Sequence, residues 1–142
     1  MTEGNEVDIE RVNALKAAMR NDPAAGRKTL TALASWNGGA HSTTIARNFV
    51  IAADEPVALG GTDRGASPTE LLLTALATCI MIGIAYSAAE DGIEVESIEI
   101  DVAGDLDLGG FLEIGGVRPG LEEARLIVRV DAVASREKIE EL

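Results

Sequence analysis

The chain has 142 residues, of which 46% are hydrophobic and 25% charged, the composition and length of one folded domain. Its 24 acidic and 12 basic residues give a net charge of −12. This balance argues against nucleic-acid and anionic-membrane binding, because both need a basic surface. One cysteine and one histidine exclude an intramolecular disulfide and a metal site built from several such residues. The acidic, polar N-terminus lacks the features of a secretory signal, so we expect a cytoplasmic protein.

The first third of the chain predicts a helix followed by a β-hairpin. Apolar residues at three- and four-residue spacing predict an amphipathic helix over residues 7–19. Looser alternation predicts strands over residues 28–36 and 41–52. The Asn37-Gly38-Gly39 sequence between them predicts a tight turn, since Asn and Gly tolerate positive φ.

The middle of the chain contains the clearest local signal. Ser67-Pro68-Thr69-Glu70 is typical of a capping box, and it predicts a helix over residues 68–91 with Gly92 at its end. Residues 71–89 are almost wholly apolar and long enough to cross a membrane. The flanks are acidic and carry no Lys or Arg anchor, so we favour the buried central helix of a packed fold.

The last third predicts two more strands and a short helix. Alternation predicts strands over residues 96–102 and 125–134, with a glycine-rich loop over 104–120 between them. Ser135 is expected to cap a final helix over 136–142. Helices combined with hairpin-type strands predict an α+β fold.

We interpret residues 1–142 as a single domain in which residues 1–27 form an N-terminal helix and linker. The final helix is short, and Ile139 and Leu142 need a surface on which to pack. Either the natural domain continues beyond Leu142, or a partner chain supplies that surface.

Cys79 lies three turns into the central helix, and its position alone leaves two interpretations open. A cysteine there can be a small buried hydrophobe. Alternatively it is a reactive thiol, in which case a cation must come from elsewhere, because the helix dipole fades beyond the first turn. Arginines are the candidate cations.

A long segment of the chain resembles the OsmC/Ohr family. The matching pattern consists of Asp54-Glu55-Pro56, the loop Gly60-Gly61-Thr62-Asp63, the cap Ser67-Pro68-Thr69-Glu70-Leu71-Leu72-Leu73 and the helix Ala75-Leu76-Ala77-Thr78-Cys79. Later motifs such as Val117-Arg118-Pro119-Gly120 are similar to the OsmC-like branch. The resemblance extends over about residues 28–142.

This resemblance implies a fold and a chemistry. The fold is the OsmC-like α+β fold, with curved antiparallel sheets around a long buried central helix, in an intertwined homodimer with active sites at the subunit interface. Known members reduce organic hydroperoxides without a metal or prosthetic cofactor. A cysteine on the central helix attacks the peroxide, a second cysteine resolves the sulfenic acid, and dithiols reduce the resulting disulfide.

The resemblance also suggests site residues. Cys79 matches the peroxidatic cysteine. Glu70 stands near the place of the family's glutamate, although the peroxidases have that glutamate one position earlier, where this chain has Thr69. The family's activating arginine has no clear counterpart, and the candidates are Arg47, on the predicted strand 41–52, and Arg64, in the glycine-rich loop.

Two functions remain open at this stage. The first is a stress or detoxification protein that reduces organic hydroperoxides through Cys79. No second cysteine is present among these 142 residues, so either the resolving segment lies beyond Leu142 or a one-cysteine variant uses an external thiol. The second is a non-catalytic protein of the same fold that binds a small apolar ligand at the dimer interface. We expect neither a nucleic-acid nor a membrane partner. The reactivity of Cys79 distinguishes the two, so the sequence leaves open whether the protein is an enzyme.

Overall fold

The computed structural model describes residues 7–142, which divide into two compact units. One comprises Glu10–Leu72, and the other comprises Leu73–Leu142 together with residues 7–9. The single-domain organisation stays a prediction. The helices are α1 (Ile9–Asn21), α2 (Pro68–Glu90), α3 (Leu108–Phe111) and α4 (Arg136–Glu140), and the strands are β1 (Leu33–Trp36), β2 (Ser42–Ala46), β3 (Phe49–Ala53), β4 (Val95–Leu106) and β5 (Leu121–Ala132).

The first unit contains a three-stranded antiparallel sheet in the order β1-β2-β3. The predicted hairpin is confirmed, with Leu33 opposite Ile45 and the Asn37 amide donating to the His41 carbonyl at 2.9 Å. The α1 helix begins and ends two residues later than the pattern predicted.

The prediction of one strand over residues 41–52 is wrong. A second hairpin turn interrupts it, and Ile45 pairs with Val50 across that turn. Arg47 therefore lies in the turn rather than on a strand, with a positive φ of 57°. Its guanidinium lies 5.0 Å from the centroid of the Phe49 ring, a cation–π contact between two residues of the same hairpin.

The central helix begins at the predicted capping box. The Ser67 amide donates to the Glu70 carboxylate at 2.7 Å, and the Glu70 amide donates to Ser67 Oγ at 3.3 Å. At the other end Gly92 adopts a φ of 63°, which closes the helix in the left-handed conformation that glycine tolerates. Both predicted ends are thus confirmed to within one residue.

The two sides of α2 have different surroundings. Ile84 and Ala88 are buried within the second unit, together with Ile93 just beyond the helix. The opposite side is exposed. By its length and apolar composition alone, α2 could also cross a membrane. A buried central helix requires that this exposed side also be covered, and that part of the expectation stays a prediction.

The second unit is built on the β4–β5 antiparallel hairpin, in which Ile100 lies opposite Val128. The β4 strand continues to Leu106, so the prediction of a loop starting at residue 104 is wrong. Gly104 pairs with Ala124 in this strand. The Leu73 and Leu121 side chains lie so close to it that an added Cβ would be 2.8 Å from Leu121.

Ion pairs run along the exposed side of this hairpin. Arg129 bonds to Asp101 at 2.6 Å, and Arg125 bonds to both Asp105 and Glu123. The hydrogen bond and charge of Asp105 raise the pKa of the Arg125 guanidinium. These contacts join two strands whose charged residues alternate with apolar ones.

The C-terminal helix is confirmed but is shorter than predicted. It spans Arg136–Glu140, and Ser135 caps it by accepting a hydrogen bond from the Lys138 amide at 3.4 Å.

Candidate functional site

Cys79 is a free, exposed cysteine near the middle of α2. The neighbouring Thr78 hydroxyl donates to the Thr74 carbonyl at 2.8 Å. That hydroxyl is therefore engaged by its own helix. Within the single chain, Cys79 is therefore not a buried hydrophobe.

Cys79 lies within an exposed apolar stripe along α2. At roughly 100° per residue, Leu72 and Tyr86 fall within about 20° of Cys79 around the helix axis, and Ile82 lies one turn away. These three side chains are 58%, 43% and 56% exposed, respectively. We call Leu72, Cys79, Ile82 and Tyr86 the thiol stripe. The three- and seven-residue spacing of Ile82 and Tyr86 from Cys79 carries this arrangement in the sequence.

Glu70 belongs to the same helix but points elsewhere. Nine residues from Cys79, it lies about 180° away around the axis. Its carboxylate accepts the Ser67 amide, and the hydrogen bonds from the Ser67 amide and hydroxyl hold the pKa of Glu70 below its ordinary value. Capping accounts for this residue, and a role in the chemistry of Cys79 stays a prediction.

A buried carboxylate organises the loop that precedes α2. Asp54 directly follows β3 and is only 1% exposed. Its Oδ2 atom accepts the Thr62 hydroxyl at 2.6 Å, the Thr62 amide at 3.1 Å and the Arg64 amide at 3.2 Å. The Oδ1 atom accepts the Glu55 amide at 2.9 Å. The bond from the Thr62 hydroxyl, helped by the backbone amides, holds the pKa of Asp54 below its ordinary value against the opposing effect of burial.

Two glycines let this loop fold closely over the end of the sheet. A Cβ on Gly61 would lie 1.7 Å from the Glu55 carbonyl oxygen, and one on Gly65 would lie 2.7 Å from the Ala52 carbonyl oxygen. No side chain fits at either distance. The glycine-rich loop was expected from the sequence, whereas the role of Asp54 in holding it was not. The signal for that role is a carboxylate placed between the end of a strand and the loop.

The two candidate arginines have different settings. Arg64 has its backbone amide held by Asp54, while its exposed side chain makes no hydrogen bond or ion pair with any residue from 7 to 142. Arg47 lies in the β2–β3 turn against Phe49. The structure thus brings Arg64 together with Asp54 and Thr62, three residues before the Ser67 cap.

The remaining acidic residues do not form a metal site in the described part of the chain. Among residues 7–142, no group of three or more His, Cys, Asp or Glu side chains is arranged to hold a metal ion. Asp105 pairs with Arg125, and Asp107 caps α3 by accepting the Gly109 amide at 2.7 Å.

Comparison with solved structures supports one fold. The chain is similar to an OsmC-like protein from Mycoplasma pneumoniae, with a TM-score of 0.68 and 23% identity over 80% of this chain and 77% of that one. It is also similar to an osmotic stress induced and detoxification response protein, so far putative, from Psychrobacter arcticus, with a TM-score of 0.66 and 20% identity over 81% and 80% of the two chains. No curated protein sequence matches it significantly.

A third structure connects the fold with a described function. The organic hydroperoxide resistance protein OsmC from Legionella pneumophila matches with a TM-score of 0.54 and 18% identity, over 80% of this chain and 77% of that one. At such identities the likeness establishes the fold alone. The family model for OsmC-like proteins matches residues 61–142, more than half of the chain, including α2 with Cys79. The chain therefore belongs to the OsmC-like protein family.

Proposed function

We propose that this protein reduces organic hydroperoxides, with Cys79 as the nucleophile. The observation that carries the proposal is the position of the thiol: Cys79 is free, exposed and flanked on α2 by apolar side chains. Peroxide chemistry needs an accessible thiolate. An apolar surrounding favours the alkyl group of an organic hydroperoxide over hydrogen peroxide, since burial of that group is favourable.

The first step oxidises the cysteine and reduces the peroxide. The Cys79 thiolate attacks one peroxide oxygen, the O–O bond breaks, and the alkoxide leaves and takes up a proton to become an alcohol. Cys79 is then a sulfenic acid. An S–O bond has formed, and two electrons have passed from sulfur to the peroxide.

The second step needs an external reductant, since Cys79 is the one cysteine among the 142 residues. A thiol of a dithiol attacks the sulfenic sulfur, water leaves, and a mixed disulfide forms. The second thiol of the same molecule then displaces Cys79 and closes the dithiol to its own disulfide. Each cycle consumes one hydroperoxide and one dithiol, and it yields an alcohol, water and a disulfide. We place this activity in the cytoplasm, where thiol reductants are maintained.

An arginine is proposed to stabilise the Cys79 thiolate, and Arg64 is the better supported of the two candidates. Its guanidinium has no partner among residues 7–142, whereas that of Arg47 already contacts Phe49. A cation without an intramolecular partner is available to an anionic thiolate. Glu70 is expected to contribute through the helix cap.

We further propose that the protein acts as a homodimer in which a second copy packs against the apolar side chains of the thiol stripe and leaves the Cys79 thiol open to the peroxide. The exposed apolar side chains of the stripe support this proposal, because an exposed apolar patch of this kind is typical of a surface that packs against another protein. The ends of α2 favour a protein over a lipid partner, because Glu90 and Asp91 follow the stripe where a membrane span would carry basic or aromatic anchors.

The alternative is a non-catalytic protein that holds a small apolar ligand on the same stripe. Two features favour it, namely the missing second cysteine and the engagement of Glu70 in the helix cap. Under this alternative Cys79 would be one apolar contact among several.

Turnover kinetics separate the two functions. We expect the full chain to consume cumene hydroperoxide in the presence of dithiothreitol, with a higher kcat/KM than for hydrogen peroxide. Cys79→Ser should abolish this consumption, while Thr78→Ser, a neighbouring substitution that keeps its hydroxyl, should retain it. Equal and slow consumption by the wild type and Cys79→Ser would overturn the peroxidase proposal in favour of the binding function.

A further inference from the structure

The turn of the first hairpin contains an asparagine followed by a glycine. Asn37 is exposed and comes directly after β1, and Gly38 has a positive φ of 98°. A Cβ added to Gly38 would have no neighbour within 4 Å, so the space around this glycine is open. An asparagine followed by glycine loses ammonia more readily than other asparagines, because glycine has no side chain to shield its amide nitrogen.

Hydrogen bonds hold the main chain of this turn but leave the Gly38 amide available. The Asn37 amide donates to the His41 carbonyl at 2.9 Å, and the His41 amide donates to the Gly38 carbonyl at 3.1 Å. The Gly38 amide itself donates no hydrogen bond to any residue from 7 to 142. Attack by the Gly38 nitrogen therefore breaks no hydrogen bond of its own within this part of the chain.

The Asn37 side chain is held by a residue of the next strand. Its Nδ2 atom donates to the Thr43 hydroxyl oxygen at 2.5 Å. Thr43 is half-buried on β2, where it pairs with Ser35 of β1. While this bond holds, the carboxamide is not free to rotate towards the Gly38 nitrogen. The bond also has to break before Nδ2 can leave the side chain, so it should slow the reaction.

We propose that Asn37 is a site of spontaneous covalent modification and that the Thr43 hydroxyl restrains the reaction. A bond forms between the Gly38 nitrogen and Cγ of Asn37, the bond from Cγ to Nδ2 breaks, and Nδ2 leaves as ammonia with the proton of the Gly38 amide. Water then opens the succinimide ring. Opening at Cγ gives aspartate, and opening at the main-chain carbonyl gives isoaspartate. No oxidant or reductant is consumed, and none of these residues contributes to the proposed function.

The isoaspartate product should change the end of the hairpin. Its main chain runs through the former side chain and is longer by one methylene group. Trp36 Nε1 donates to the Gly39 carbonyl at 2.8 Å across this point, so the extra methylene should displace the acceptor from the indole. Aspartate leaves the main chain as it was. Because Trp36 is the one tryptophan of the chain, its fluorescence reports on this turn alone.

Asn48 provides a matched control within the same molecule. It is also exposed and lies in the turn between β2 and β3 of the same sheet. The residue that follows it is Phe49, whose bulky side chain shields its amide nitrogen. Trypsin cleaves after Lys and Arg, so Asn37 falls in the peptide 29–47 and Asn48 in the peptide 48–64. The two asparagines can therefore be followed separately in one sample.

The experiment incubates the full chain in mildly alkaline buffer and follows both tryptic peptides by mass over time. We expect the peptide 29–47 to gain the mass difference between an amide and an acid and to separate into two forms, one of which elutes with the peptide of Asn37→Asp. The peptide with Asn48 should keep its mass over the same period. Thr43→Val, which keeps the β-branched shape, should accelerate the reaction by about three- to tenfold, the factor expected for loss of one ordinary hydrogen bond. Thr43→Ser retains the hydroxyl and should react at the wild-type rate.

Three results would overturn parts of the proposal. A peptide 29–47 that keeps its mass, or that changes no faster than the peptide with Asn48, would overturn the modification site. This comparison needs no variant, so it remains decisive if Thr43→Val folds poorly. A Thr43→Val protein that reacts at the wild-type rate would overturn the restraint by the hydroxyl. The purified isoaspartate form should differ from Asn37→Asp in its Trp36 emission, and identical spectra would overturn the effect on the hairpin.

Discussion

The Thr62 hydroxyl donates a 2.6 Å hydrogen bond to Oδ2 of Asp54, a side chain that is 1% exposed at the end of β3. This bond joins the end of the sheet to the loop that leads into the central helix. It ties a loop with three glycines to the sheet, because the buried carboxylate accepts hydrogen bonds from Glu55, Thr62 and Arg64.

The hydrogen bonds to Asp54 should make stability depend on pH at the acidic end. The pKa of Asp54 in the folded chain lies below its ordinary value of 3.8, so the unfolded chain binds a proton first as the pH falls. The stabilisation is therefore present at neutral pH and is lost as the pH falls from about 4 through the lower folded value. Melting curves should show Asp54→Asn well below the wild type near neutral pH, with the gap narrowing near pH 3. A gap that stays constant would contradict this assignment.

The close approach of the loop to the sheet should make Gly61 intolerant of any side chain. A Cβ there would lie 1.7 Å from the Glu55 carbonyl oxygen, so the backbone must shift in Gly61→Ala. We expect a loss of about 1–3 kcal/mol in the free energy of unfolding, the usual cost of overpacking. Denaturant titration measures it, and a variant as stable as the wild type would show that the loop lies farther from Glu55.

The capping box allows the two roles of Glu70 to be separated. Ser67→Ala removes the side-chain acceptor of the Glu70 amide, and we expect a loss of about 1 kcal/mol in stability. Glu70→Gln keeps an acceptor for the Ser67 amide but removes the charge, so it should lower stability less than Ser67→Ala.

Peroxide consumption then decides whether Glu70 has a further role. If Glu70 acts through the cap alone, Glu70→Gln should retain peroxide turnover close to that of the wild type. A large loss of kcat with an unchanged melting temperature would instead show that the carboxylate takes part in the chemistry.

The thiol stripe should be the centre of the homodimer interface. Ile82 is 56% exposed in the isolated chain, and Ile82→Glu would place a charge where a second copy is proposed to pack. Sedimentation should give the wild type about twice the 14.8 kDa of one chain, and Ile82→Glu should shift it toward the monomer. Ala25→Glu, which adds the same charge at an exposed position in the short 3-10 turn Pro23–Gly26, is the control. A monomeric wild type at micromolar concentration would contradict the dimer.

Local signals in the sequence predicted the central helix well. The capping box and the closing glycine depend on residues that are close in sequence, so both ends of α2 could be derived from the printed chain. The α+β class and the first hairpin also follow from local patterns. The family followed from a motif that places Cys79 on that helix.

What the sequence did not reveal depends on tertiary contacts. The hydrogen bonds of Asp54 join it to Thr62 and Arg64, which are eight and ten positions later in the chain. The loop between them has no hydrophobic periodicity from which its path could be predicted. The turn at Arg47 contains no glycine that would have predicted it. Arg47 itself adopts a positive φ of 57°. Gly104 has the appearance of a loop residue in the sequence, although it pairs with Ala124 in the β4–β5 hairpin.

The most direct test of the account is the intact mass of the protein before and after a small excess of an organic hydroperoxide. The account predicts a gain of one oxygen atom, about 16 Da, which a sulfenic-acid reagent traps and which Cys79→Ser does not show. Addition of a dithiol should return the mass to its starting value. An unchanged mass, together with slow alkylation of Cys79, would contradict the peroxidase function and identify the thiol stripe as a binding surface.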